Sequence, residues 1–360
     1  MTEVMQIGSK TIADFTYNNQ KIDNVESFKY LGHTICKGKN IHKKMPEYIA
    51  TQARKALFAL QGHMKPSLGH ISPPLAMKMF DSYVLPILEY NCTFWSSTVQ
   101  IAEIEKIQIG YLKHILGVRR QTPTFGVYSD TGRFPLRIRQ LLTTVNYWAR
   151  IKNLPSNDIL NKCLKIQQSL HNAGQNNWYS KLGKIMIEAG ITNWSTVDTN
   201  LVIKEVRTKL YLNEQSKILN GIKDSDTFPK LRTYKLFKTN YCLEPYLNLN
   251  LSKKTYSNIA RFRLSSHNLK IETGRHSRPK TPIEERICDK CGSNNVEDEM
   301  HCLLVCEANA IPRAELIDKV CNQIDNFNNL DKTNQFKLIM ANKQPEIIQA
   351  VGSFLNKVMK

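Results

Sequence analysis

No run of apolar residues in this sequence approaches the ~18 needed to cross a membrane. A membrane partner is therefore not expected, and the chain reads as soluble and intracellular, nuclear or cytoplasmic. Acidic residues are scarce: Asp and Glu number 31 against 50 Lys and Arg, a net charge of +19. Such an imbalance favours a polyanionic partner, through summed surface potential and counterion release. The plainer alternative is a soluble basic protein with scattered lysines. The N-terminal residues do not read as a secretory signal, and no disulfide framework is expected. Of the nine cysteines, Cys36, Cys92, Cys163, Cys242 and Cys321 are far apart, while Cys288, Cys291, Cys302 and Cys306 crowd into a short window. That distribution suits a reducing compartment and a metal site rather than secreted cross-links. Core-forming residues are not lacking. With 41% hydrophobic and 9% aromatic residues the composition is that of a globular protein, which excludes wholesale disorder. The 360 residues suffice for two or three compact units.

Periodicity orders what is there. Short apolar groups at Val4–Ile7, Ile12–Phe15 and Phe28–Ile35, with polar Tyr17-Asn18-Asn19-Gln20 before the third, predict short strands and a hairpin turn near Asn18-Asn19. From about Lys43 the step changes to three and four: Met45, Ile49, Ala53, Ala56, Leu57, Leu60 and Met64 share one helical face. A second helix is expected from Ser72-Pro73-Pro74, kinked at Pro86. A third carries Ile101, Ile104, Tyr111, Leu112 and Ile115 and stops at Gly117. A fourth opens after Gly132-Arg133-Phe134-Pro135, and further helices are expected over roughly 157–171, 177–189 and 198–220, the middle one ended by Gly190. The fold class read from this pattern is mainly α, with short N-terminal strands.

Lys223-Asp224-Ser225-Asp226-Thr227 has no hydrophobic period and reads as a linker. Beyond it the composition shifts. Phe228 to Arg286 hold thirteen Lys or Arg against four Glu, nearly half of the excess positive charge in about a sixth of the chain. The candidate nucleic-acid contacts are Lys230, Arg232, Lys235, Lys238, Lys253, Lys254, Arg261, Arg263, Arg275 and Arg278. They are interleaved with Tyr234, Phe237, Tyr241, Tyr246, Tyr256 and Phe262. Cations neutralise phosphates and aromatic faces stack on unpaired bases, so the mixture suits single-stranded or structured RNA or DNA. The same aromatics serve equally well as core.

Cys288, Cys291, His301 and Cys306 have the spacing C-x2-C-x9-H-x4-C. A C-x2-C turn lets two thiolates reach one ion, Gly292 relieves the backbone just after it, and the later His/Cys pair completes a tetrahedron suited to zinc. Four ligands leave no open position, so the zinc is structural rather than hydrolytic, and it supplies folding energy that so short a segment lacks. Cys302, among Leu303, Leu304 and Val305, reads as a packed apolar residue. Glu297-Asp298-Glu299 reads as a solvated turn or a helix N-terminus.

Taken in order, several stretches resemble the C-terminal half of non-LTR, LINE-like retrotransposon reverse transcriptases. They are Phe28-Lys-Tyr-Leu-Gly32, Val84-Leu-Pro-Ile-Leu-Glu-Tyr90 with Trp95, Ile104-Glu-Lys-Ile-Gln108 leading to Ile115-Leu-Gly117, and Gly132-Arg-Phe-Pro-Leu136. Ala260-Arg-Phe-Arg-Leu-Ser265, Ile271-Glu-Thr-Gly-Arg275 and the cysteine cluster with Glu297-Asp-Glu-Met-His301 follow. The resemblance implies terminal palm strands over 1–41, a helical thumb over 42–125 and a helical connector over 126–222. It further implies a basic nucleic-acid-binding segment over 223–286, a CCHC zinc finger over 287–313 and C-terminal helices over 314–360. It makes Phe28, Tyr30, Leu31 and Gly32 a primer-side motif, and associates the finger with template RNA or target DNA.

The departure matters as much as the match. Polymerases of this family hold divalent metals on two adjacent aspartates, and no Asp-Asp pair occurs in this chain. Met1 to Ile7 resembles the strand just after that turn. The chain is therefore expected to be a truncated product that binds nucleic acid and is not itself an enzyme. An incomplete gene model of an active polymerase, and a zinc-dependent protein-interaction module in a host-adopted protein, are the alternatives. Nothing in the sequence fixes the oligomeric state.

Overall fold

The computed structural model describes residues 2–7, 13–38, 40–63, 71–96, 102–224 and 229–359. Met1, Ile12, Met64, Ile101, the linker residues Ser225-Asp226-Thr227 and Phe228 lie outside them. The fold is mainly helical, with short strands near the N-terminus.

Among the described residues those strands form three separate two-stranded pairs. Thr16–Tyr17 pairs antiparallel with Gln20–Lys21. Asn18 and Asn19 turn between them at φ 49° and 61°, the left-handed pair that a two-residue hairpin of matching twist requires. Ser27–Tyr30 pairs with His33–Cys36, and Leu31 and Gly32, at φ 46° and 78°, make the turn.

The chain divides into two compact units, neither continuous in sequence. The first comprises Met1–His63, Met79–Gln108 and Pro135–Asn213. Its helix Met45–His63 buries Met45, Ile49, Ala53 and Leu60, the spacing read from the sequence. The helix Pro73–Tyr83, which enters this unit at Met79, ends before Val84, and a short helix Leu85–Leu88 follows with Pro86 in its first turn. Proline offers no N–H to continue the ladder, so the helix breaks where a kink was expected. Helices Leu136–Lys152, Ile159–Asn172, Trp178–Glu188 and the start of Thr199–Lys223 then enclose a core that includes Leu141, Val145, Trp148, Leu182, Met186, Val202 and Val206. Asp158 caps the second of these by accepting from the Leu160 amide, and Asn177 caps the third in a reciprocal pair with Ser180.

The second unit comprises Met64–Lys78, Ile109–Phe134 and Glu214–Lys360. Gly117, at φ 66°, ends the helix Ala102–Leu116. Its amide and that of Val118 reach back to the carbonyls of His114 and Lys113, so the orphan carbonyls at the helix end are satisfied. The helix Thr124–Thr131 has no amphipathic signal in the sequence and forms because Gly126 to Thr131 are buried, a case of tertiary packing overriding weak propensity. Helix Pro345–Val358 packs on Ala310–Cys321 and on Lys253–Arg263.

At the centre of this unit lies a polar network. Asp130, wholly buried, accepts from the hydroxyls of Tyr234 at 2.7 Å and Tyr246 at 2.8 Å, and from Arg263 at 3.0 Å. Arg263 also donates to the Met340 carbonyl at 2.7 Å and pairs with Glu244 at 2.8 Å. Lys238 completes the group on Glu244.

Candidate metal centre and basic surface

The four ligand candidates meet. Cys288, Cys291, His301 and Cys306 place one donor atom each within 4.8 Å of the others. Cys288 and Cys306 Sγ are 3.8 Å apart, and Cys291 Sγ lies 3.4 Å from His301 Nε2. A tetrahedron with bonds of about 2.3 Å to sulfur and 2.0–2.1 Å to nitrogen has S–S edges of about 3.8 Å and S–N edges of about 3.5 Å. The cluster therefore has the size and the donor set of a metal site.

Local structure explains the spacing. Ile287 and Val296 form an isolated antiparallel bridge, and the Cys288 amide donates to the Asn295 carbonyl at 2.9 Å. The chain turns within this hairpin at Gly292, φ 63°, and Asn294, φ 54°, bringing both thiols of the C-x2-C pair to one side. On the other half, His301–Val305 is a widened helical turn closed by the Cys306 amide on the His301 carbonyl at 2.8 Å. An i to i+5 turn stacks residues five apart, which is the separation of His301 and Cys306. Asp298 caps this turn, accepting from the His301 amide at 2.8 Å.

The thiols are not equivalent. Burial pushes Cys288 up to about 11, whereas hydrogen bonds from the Ser293 side chain and backbone bring Cys291 down to about 6. Cys302 is buried, with its thiol pushed up to about 12 by desolvation, as expected of a packing residue. The Glu297-Asp298-Glu299 run is no solvated turn. Glu299 has no exposure and accepts from Arg232 at 2.8 Å, Ser265 at 2.9 Å and His267 at 2.8 Å. Burial opposes its ionisation, but Arg232 and His267 outweigh that and hold it at about 2. Glu297 accepts from the Lys270 amide at 2.8 Å and pairs with Lys290 at 2.9 Å.

Compared with protein families, curated proteins and solved structures, the chain gives no match.

The ten basic candidates separate into two groups. Lys253, Lys254, Arg261 and Arg278 are exposed, Lys235 is half-buried, and half-buried Lys230 lies 4.0 Å from Glu272. The other four are turned to protein carboxylates. Arg263 is held by Asp130 and Glu244, Lys238 by Glu244, Arg232 by Glu272 at 2.6 Å and by Glu299, and Arg275 by Glu272 at 3.3 Å. Arg263 and Lys238 are buried in these pairs and Arg232 and Arg275 half-buried; a cation already paired with a protein carboxylate has fewer counterions to release to a polyanion. Tyr234, Phe237, Tyr246, Tyr256 and Phe262 are buried and pack as core, while half-buried Tyr241 donates its hydroxyl to the Arg133 carbonyl.

The residues expected to form a primer-side motif lie in the first unit, on the second hairpin. Phe28, Tyr30 and Leu31 are exposed, Leu31 at 75%, and the Tyr90 hydroxyl donates to the Leu31 carbonyl. A leucine in left-handed conformation costs about 1–2 kcal/mol, and here it projects an apolar side chain from a turn. Among residues the sequence did not single out, Arg286 is notable: it is buried and donates to the carbonyls of Ile271 at 2.7 Å and Thr281 at 2.8 Å. Only its place just ahead of Cys288 signalled it.

Proposed function

We propose that this chain binds nucleic acid through its second unit, around one structural zinc ion held by Cys288, Cys291, His301 and Cys306, and performs no nucleotidyl transfer itself. The observation that carries the reading is a four-donor cluster set in a unit whose interior carboxylates are committed to Arg232, Lys238 and Arg263. The cations that remain outside, Lys253, Lys254, Arg261 and Arg278, are then free to meet an external polyanion.

The chemistry supports zinc: three sulfurs and one imidazole nitrogen within 4.8 Å of one another suit a borderline-soft ion. When bound, zinc joins the hairpin to the widened turn and adds folding energy. The protein's own groups hold the ligands in place. Ser293 favours the Cys291 thiolate, the Asp298 cap fixes the His301 backbone, and Arg313 grips the Cys306 carbonyl at 2.6 Å. We further propose that the chain derives from the C-terminal part of a non-LTR reverse transcriptase. The ordered motifs and the exposed Tyr30-Leu31 turn support this.

The test is binding of the zinc-loaded chain to single-stranded RNA and duplex DNA as salt is varied. A log–log slope of several units is expected. Binding that is absent in low salt, or indifferent to salt, would refute it.

A further inference from the structure

The second unit contains a cavity of about 470 Å³ whose wall carries Arg119, Arg261 and Lys290 together with Ser266 and Asn268. None of the described residues lining it is acidic. Two of its cations, Arg119 and Arg261, are fixed by neutral partners. The Arg119 amide donates to Ser266 Oγ at 2.8 Å, and its guanidinium donates to Asn268 Oδ1. Arg261 donates through Nε to the Gly117 carbonyl at 2.6 Å. These bonds orient two guanidinium groups while leaving their charge and most of their N–H donors unused. Neither Arg119 nor Arg261 has a carboxylate partner among the described residues. Gly117 lets this turn lie close against the helix Lys253–Arg263: a Cβ there would stand 2.5 Å from Ser257 Oγ.

Like charges crowd the surroundings. Burial, and then Lys230 and Arg120, hold Lys113 below its ordinary value; burial likewise lowers Lys230, with Arg275 and Arg119 adding to it against Glu272. Lys290, between two of the candidate metal ligands in sequence, brings the third cation to the wall from the finger hairpin and shares Glu297 at 2.9 Å. Arg119 and Arg261, which line one wall with no carboxylate partner among the described residues, repel each other unless an external anion completes them.

We infer that this cavity is a phosphate site, built by Arg119, Arg261 and Lys290, which takes a backbone phosphodiester of a bound nucleic-acid strand. A tetrahedral oxyanion matches it: several acceptor oxygens for several N–H donors, with guanidinium forks suited to phosphate. The assignment to a strand rests on the nucleic-acid reading above; the phosphate chemistry does not.

The zinc-loaded full chain and its Arg119→Gln, Lys290→Gln and Arg119→Lys variants are titrated with inorganic phosphate, followed by 31P line width. The same proteins are titrated with a labelled single-stranded oligonucleotide at several salt concentrations. Circular dichroism and metal content verify folding. Each Gln variant is expected to weaken phosphate binding, to lower the log–log salt slope by about 0.7 and so to weaken oligonucleotide binding about fivefold at 0.1 M salt. Arg119→Lys retains the slope. Phosphate binding equal in wild type and both Gln variants, or undetectable in wild type, overturns the site even if the oligonucleotide still binds. Gln variants that lose phosphate but bind the oligonucleotide with an unchanged slope overturn the strand assignment in favour of free phosphate. An oligonucleotide that wild type does not bind overturns the strand assignment together with the nucleic-acid reading, while the phosphate titration still decides the cavity. If the Gln variants misfold, wild-type phosphate binding and the Arg119→Lys slope decide.

Discussion

Replacing Arg263 by Ala separates a core ion pair from a surface contact. The substitution strips Asp130 of its guanidinium partner at 3.0 Å, leaves the Met340 carbonyl without its donor at 2.7 Å, and removes one of two cations from Glu244. Asp130 keeps only two tyrosine hydroxyls, and it has no exposure. Breaking a buried pair from one side costs about 3–5 kcal/mol, a large share of the roughly 5–15 kcal/mol that holds a domain folded. In a urea titration followed by far-UV circular dichroism, with a slope of about 1–3 kcal/mol/M, the transition of the second unit should fall by about 1 M or more. The loss depends on pH in a set direction. In the wild type, burial disfavours the Asp130 carboxylate, but Arg263 and Lys238 outweigh it and hold the group below its usual 3.8. A depressed acid adds stability above its unfolded pKa that disappears as pH falls through the folded one. Without Arg263, burial raises the group instead, and the variant gains stability as it protonates. The difference between the two proteins should therefore shrink from pH 7 toward pH 3. Arg261→Ala, an exposed neighbour in sequence, is the control for binding. If Arg263→Ala costs under about 1 kcal/mol yet weakens nucleic-acid binding, the reasoning is refuted.

Three other outcomes are expected. Cys288→Ser should reduce bound zinc well below one equivalent by metal analysis and lower the melting temperature; an unchanged metal content would eliminate the site. Glu299 sits at about 2 against an ordinary 4.5, so its contribution to stability should be full above pH 4.5 and fade as pH falls toward 2. The wild-type minus Glu299→Gln difference in urea midpoint should follow that window and would be flat if Arg232 and His267 did not hold the carboxylate. At Gly221 a Cβ would stand 2.4 Å from the Phe125 ring, so Gly221→Ala should destabilise by about 1–3 kcal/mol through overpacking, and an unaltered urea midpoint would contradict that packing.

The sequence by itself determined the local order. Periodicity located the long helices, glycine and proline marked their ends at Gly117, Gly190 and Pro86, and two asparagines set the first hairpin turn. Each of these signals is carried by residues within a few positions of one another. The metal ligands belong to the same class, since a C-x2-C knuckle and a five-residue turn are both short, although the widened turn that makes x4 the right spacing was not legible. What tertiary structure decided was the direction each charge faces. Asp130 and Arg263 are 133 residues apart, and Arg232 and Glu299 are 67 apart. The basic segment therefore read as one continuous external face, while folding turned Arg232, Lys238, Arg263 and Arg275 to carboxylates and left Lys253, Lys254, Arg261 and Arg278 outside. Net charge is a sum over the chain, whereas a buried ion pair depends on which distant residues packing brings within about 4 Å.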